Sequence, residues 1–560
     1  MNPVEQLHQI ADRVWKRRLE RETYLQIRAG HVESIMSPSL AEAEADVRFG
    51  AALAAELTQI NAAALPHEAW LTYAFLENYA QQLGSQVKLW WAHFPVTPYQ
   101  SSWLSMFGGL IFPAFRFETT ADADRYLKLI QDYARAVQGM LDRVRAQAEN
   151  GWRVPRPALA GVHTSLSRLK ASAAYLMRVP AERLALLDAA TSARLQQSVD
   201  TLLEGDLANA FDALIAYLDE DYRQAAPEAV GITQYPGGAE AYETLIRFNV
   251  TFSLSPNRIH AVGLEQVQML TEAMAQVRAG LGFAGGETEF IATLKANGRL
   301  HADSAAQVEA TYHQHLRRIE PLMPDWFAVA VPAPYEVRRL APALEAGMSF
   351  GYYEPPSAQQ PVGLYHYNGS GLETRSQLNA ATLIYHELIP GHHYHLSRQQ
   401  NNASLPPIRR EAIEYGGYNE GWAEYAAGLP QEMGLYDDPY DLYGRLIHER
   451  FTAQRLVIDT GMNAFGWSLE RARAYMKANT LESDEQIGTE TLRYSTDLPA
   501  QALAYRLGYL KFHELRTLAQ NALGAQFDIK QFHELVLAPG AMPLSLLEQH
   551  VKHSIGMDRG

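Results

Sequence analysis

The chain has 560 residues, no cysteine, and a formal charge of −15 at neutral pH with a pI near 5.7. That acidity excludes a basic nucleic-acid surface and argues against docking on an anionic membrane. The missing thiols exclude disulfides, thiolate nucleophiles, iron–sulfur clusters and cysteine-ligated zinc, so a transition-metal site must draw on the 19 His and 63 Asp and Glu.

In chain order, the first 15 residues have no apolar core, and no signal peptide is expected. Residues 104–115 are apolar but short and interrupted by Gly-Gly and Pro, so no membrane span is expected either. A cytoplasmic location is the expectation. Apolar residues recur at three-to-four spacing over 129–148, 181–218, 260–281, 304–321 and 439–478, which predicts helices, the last broken near Gly461. Pro and Gly punctuate at 95–98, 282–286, 332–334 and 355–361. Strand-like alternation is confined to 327–337 and 363–367, which predicts a small edge sheet. With no linker or repeat, residues 1–560 read as one mainly α unit around a deep cleft. Its expected lobes are 1–320 and 321–560, with the functional site in the second.

Four of the 19 His fall in the ten residues His-Glu-Leu-Ile-Pro-Gly-His-His-Tyr-His at 386–395, where chance places about 0.3. The usual zinc-protease word has its second His four residues after the first, on the same helical face. Here Pro390 occupies that place. On an undistorted helix His393 would share the face of His386 but stand about 10 Å along the axis, too far for one ion. Pro390 removes a helical N–H and Gly391 tolerates unusual backbone angles, so Pro-Gly is expected to loop out as a bulge within the helix. His392 then takes the place of the second ligand, with His393 in reserve. The alternative is a helix that simply stops at Pro-Gly and leaves its His in solvent.

Downstream, Asn-Glu-Gly-Trp-Ala-Glu-Tyr at 419–425 sits between Gly416-Gly417 and Pro430, the bounds of a short helix. Two His and a Glu from a later helix make a catalytic zinc set with one open position. Glu420 is the expected ligand. Glu424, one turn on, is the expected acceptor for the far side of a ligand His.

These words resemble the bacterial family catalogued as domain of unknown function 885. The matching words are His-Glu-x-x-Pro-Gly-His-His at 386–393, Glu-Gly-Trp-Ala at 420–423 and Arg-Leu-Val-x-Asp-Thr-Gly at 455–461. Ile-His-x-x-Gly-Leu at 259–264, Arg-Tyr at 493–494 and Gln-Ala-x-x-Tyr at 501–505 also match. The resemblance implies a helical, peptidase-like zinc metallohydrolase. Its glutamate segment is similar to that of gluzincin aminopeptidases, and by analogy its cleft to those of thimet oligopeptidase and angiotensin-converting enzyme. The chain departs from the family at Ala500, Asn463, His395 and Ala427, where Gly, His, Gln and Glu are usual.

On this reading His386, His392 and Glu420 hold one Zn²⁺, Glu387 is the general base, and Tyr505 donates to the oxyanion. Arg493, Gln501, Tyr365 and His366 are the expected substrate contacts, and the expected substrate is a peptide or small amide. The alternatives are a metal-binding protein without hydrolytic activity, or a metal-dependent amidase or lyase acting on a small metabolite. Two further words lack their context. Gly-x-Gly-x-x-Gly at 280–285 ends a predicted helix, and Gly-x-Ser-x-Gly at 347–351 has no helix after it.

Overall fold

The structure, a computed structural model, describes residues 2–99, 102–345, 351–357 and 360–557. The serine-containing word at 347–351 therefore lies outside the described residues, apart from Gly351. The chain divides into two compact units that interleave in sequence. The first comprises 1–61, 79–244 and 492–499; the second comprises 62–78, 245–491 and 500–560. The expected boundary at 320/321 falls inside the second unit.

The first unit is helical, and its longest element runs Thr120–Glu149. Thr119 and Asp122 start that helix with a capping box, and Tyr126, Tyr133, Val137 and Met140 line its buried face at helical spacing. The expected single helix over 181–218 is broken into Ala181–Leu184, Ala189–Leu202, the π-turn Leu203–Leu207 and Ala208–Tyr217.

The second unit contains α1 (Pro256–Gly280), α2 (Ala305–Ile319), β1 (Tyr335–Arg339), β2 (Gly351–Glu354) and β3 (Gly363–Tyr367). There follow α3 (Ala380–Glu387), α4 (His392–Asn401), α5 (Gly416–Glu432), α6 (Pro439–Asn463) and α7 (Leu503–Leu523). Ser255 and Asp438 cap α1 and α6, each with Pro in the first turn, where its missing N–H costs nothing. The break expected near Gly461 falls just after it, and a new helix begins at Leu469.

α1 and α6 form the most extensive helix pair. A Cβ on Gly263 would lie 2.7 Å from Val457 Cγ2 and 2.8 Å from Leu456 Cβ, so glycine permits the close approach. His260 Nδ1 meets Thr460 Oγ1 at 2.8 Å. The family words at 259–264 and 455–461 are thus two sides of one helix contact. Asp459 accepts the backbone N–H of Ala500 at 3.0 Å and the Asn463 amide at 3.2 Å. Ala500 sits at φ +69°, which explains the Gly usual there.

The sheet has the order β1-β3-β2, with β1 parallel and β2 antiparallel to β3. Strand β3 spans the expected residues. β1 starts at Tyr335, beyond Pro332 and Pro334, which have no N–H to give a ladder. β2 was not legible as alternation. Among the described residues no helix is long and apolar enough to cross a membrane.

Candidate metal centre

Helix α3 ends at Glu387 and α4 begins at His392. The expected bulge within one helix is therefore a full break at 388–391, containing a cis Ile389–Pro390 bond. A Cβ on Gly391 would lie 1.9 Å from the His386 carbonyl oxygen, so the chain doubles back too tightly for any side chain there. The fold-back sets the His386 and His392 rings 4.7 Å apart, nearly perpendicular. Trp422 of α5 donates from Nε1 to the Pro390 carbonyl at 3.1 Å and ties this loop to the helix that carries Glu420.

Glu420 Oε2 stands 3.5 Å from His386 Nε2 and 3.4 Å from His392 Nε2. It is buried without a hydrogen bond of ordinary geometry. A tetrahedral cation with ligands at about 2.0–2.1 Å separates its ligand atoms by about 3.3–3.4 Å. The two Glu–His separations match that spacing, the three residues offer ligand atoms within 4.8 Å of one another, and their chemistry is that of a His₂Glu zinc set. Burial alone would raise the Glu420 carboxyl, but the His392 and His386 charges hold it far below the usual carboxylate range. Burial would likewise depress His386, but Glu420 and Glu424 override it and raise its pKa. The pocket thus favours cationic charge beside two carboxylates.

The other ring nitrogen of His386 points to Glu424, whose Oε1 is 3.3 Å from Nδ1. Glu424 is 1% exposed and also accepts from His448 Nε2 at 2.8 Å. Sequence reasoning set His448 aside as one more His-Glu pair. The available signal was its position on α6, seven residues before the Arg-Leu-Val-x-Asp-Thr-Gly word.

His393 is not placed to be a ligand. Tyr353 Oη donates to its Nδ1 at 2.9 Å, and its Nε2 donates to the Ala333 carbonyl at 2.9 Å, so both nitrogens are occupied. Burial lowers its pKa to about 4, which keeps it neutral. His395 is buried with no partner on either nitrogen, its ring 5.8 Å from that of His392.

Glu387 lies beside the cluster. Burial raises its carboxyl above the ordinary value, against the opposing pull of His386 and His392. Tyr505 of α7 stacks on His386 at 6.5 Å with planes 14° apart, and the Arg455 guanidinium lies 4.6 Å from its ring centre. Tyr365 is fully buried, its ring edge-on to Tyr312. His366, on the opposite face of β3, is held by Glu354 at 3.1 Å and stacked on Tyr352, and does not join the cluster. Gln501 lies just before α7. Arg493 opens the π-turn Arg493–Asp497, which belongs to the first unit.

Residues 20–551 match the family described as "Bacterial protein of unknown function (DUF885)". The chain belongs to that family. No curated protein matches it. Solved structures with the same fold include two bacterial proteins. The "putative lipoprotein from Colwellia psychrerythraea" is 23% identical over 99% of both chains, with a TM-score of 0.85. A "putative lipoprotein of unknown function from Shewanella oneidensis" is 15% identical over 97% of this chain and 98% of that one, with a TM-score of 0.69.

Proposed function

We propose that this DUF885 member is a zinc-dependent hydrolase of gluzincin type, cleaving a peptide or small amide bond in a helical cleft like those of thimet oligopeptidase and angiotensin-converting enzyme. The observation that carries the reading is the spacing of Glu420 Oε2 from two imidazole nitrogens, 3.4 and 3.5 Å, with no hydrogen bond to account for it. His386, His392 and Glu420 would hold the ion. Zinc supplies Lewis acidity that brings the deprotonation of water into the neutral range.

The chain's own residues do the rest. Glu387, next in sequence to a ligand, takes the proton of the attacking water and returns it to the leaving nitrogen. Burial raises its pKa above the ordinary carboxylate value, a direction that suits a group that must both accept and release a proton. Tyr505 donates its hydroxyl hydrogen to the oxygen of the attacked carbonyl as charge develops there. Its ring is kept in place by the stack on His386 and by Arg455. A protein that merely bound metal would need the ligands but no Glu387.

The test combines metal analysis with a panel of peptides and amino-acid amides, assayed with and without chelator. Wild type should carry about one zinc per chain and lose activity to chelator. Glu387→Gln should keep the zinc and lose about 10²-fold or more in kcat. Zinc-free wild type, or a fully active Glu387→Gln, refutes the reading.

A further inference from the structure

Glu424 is a buried carboxylate that approaches His386 from the side away from Glu420. A His that offers Nε2 to a metal must carry its proton on Nδ1, and something must accept that proton. Glu424 Oε1 is the carboxylate oxygen placed to accept it, 3.3 Å from Nδ1, with no hydrogen bond of ordinary geometry between them. The same oxygen receives His448 Nε2 at 2.8 Å, the shorter of its two contacts. This is no surface ion pair, since the side chains of Glu424 and His448 are 1% and 15% exposed. His448 reaches it from α6, whereas Glu424 comes from α5 and His386 from α3. On the same face of α6, Arg445 is committed to Glu449 at 2.8 Å, and Arg506 holds the other oxygen of Glu449 at 2.6 Å. His448 is therefore the donor that fixes the rotamer of Glu424.

We infer that His448 is a positioning residue for the metal centre. Through Glu424 it locks His386 in the tautomer and ring orientation that present Nε2 to zinc. The inference rests on the zinc reading above and adds a residue three helices deep to it. Such outer partners of a ligand His are worth about 10–100-fold in metal affinity.

The contrast that tests it is His448→Gln against His448→Met. Both side chains fill the space, and only Gln keeps an N–H to donate. Zinc dissociation constants by competition with a chromophoric chelator, and the visible spectrum of the cobalt-substituted protein, are the readouts. Thermal midpoints of the metal-free forms report any general loss of structure. The expected result is a 10–100-fold weaker zinc complex and an altered cobalt spectrum for His448→Met. His448→Gln should stay within about threefold of wild type and keep its spectrum. Unchanged affinity in His448→Met, or equal losses in both variants, overturns the inference while leaving the zinc site intact. If His448→Met does not fold, a tenfold loss in His448→Gln still overturns it. Wild type that binds no zinc refutes the underlying reading instead.

Discussion

Gly421 lies where α5 crosses α7, and replacing it with Ala should pry the metal centre apart. An added Cβ would stand 2.5 Å from Gly508 Cα and 2.6 Å from its carbonyl carbon. Carbon atoms in contact prefer about 3.5–4.0 Å, so the helices must separate by about 1 Å. No rotamer change can relieve the clash, because the obstacle is backbone. Gly508 is equally constrained, since its own Cβ would lie 2.2 Å from the Gly417 carbonyl oxygen. A gap of 0.5–1 Å forfeits about a quarter to a half of each van der Waals contact. The aromatic contacts of Phe512 with Tyr418, Trp422 and Tyr425 straddle this crossing. Ala has about 1 kcal/mol of helix propensity over Gly, whereas overpacking a rigid contact costs about 1–3 kcal/mol. The upper part of that range applies to a backbone obstacle, so the net effect should be a loss of about 1–2 kcal/mol. Glu420, adjacent in sequence, moves with α5, and zinc affinity should fall with stability. The assay is the urea midpoint of the metal-free protein together with a zinc competition titration. Gly488→Ala is the control: it lies in the helix Asp484–Leu492 with nothing within 4 Å, and should stabilise by up to about 1 kcal/mol. A Gly421→Ala protein that gains stability as the control does, with zinc affinity intact, refutes the reasoning.

Two further outcomes follow from the same geometry. His392→Ala should lose zinc, while His393→Ala should retain it and lose stability, having removed two buried hydrogen bonds; metal content and thermal midpoint of the pair decide this, and the reverse metal pattern refutes the ligand assignment. His533 is fully buried, donating from Nδ1 to the Trp326 carbonyl and accepting from Tyr425 Oη, and burial lowers its pKa to about 3. Its unfolded value is about 6.5, so the unfolded chain binds the extra proton and stability falls as pH drops below 6.5. The stability advantage of wild type over His533→Gln should shrink by about 3 kcal/mol between pH 6.5 and 4, read from urea midpoints. A difference that does not vary with pH contradicts this.

The sequence singled out His386, His392, Glu420 and Glu424 as candidates. Local stereochemistry relates the two His across Pro-Gly and the two Glu on one turn of one helix, whereas the pairing of the two segments came from the His₂Glu zinc pattern. Helical periodicity located α1, α2 and α6, and strand-like alternation located β3. The register between His392 and His393 needed the sheet, because Tyr353 and Ala333 occupy both nitrogens of His393 from segments 40 and 60 residues away. Tertiary structure alone placed His448 beside Glu424 and separated His366 from Tyr365, since both depend on which helix or strand face meets which neighbour. It also showed why the helix breaks rather than bulges, with Gly391 folded onto the His386 carbonyl. The absence of cysteine was decisive from the start: it restricted any metal to His and carboxylate. Only packing could show that a buried Glu oxygen without a hydrogen bond of ordinary geometry stands close to two imidazoles.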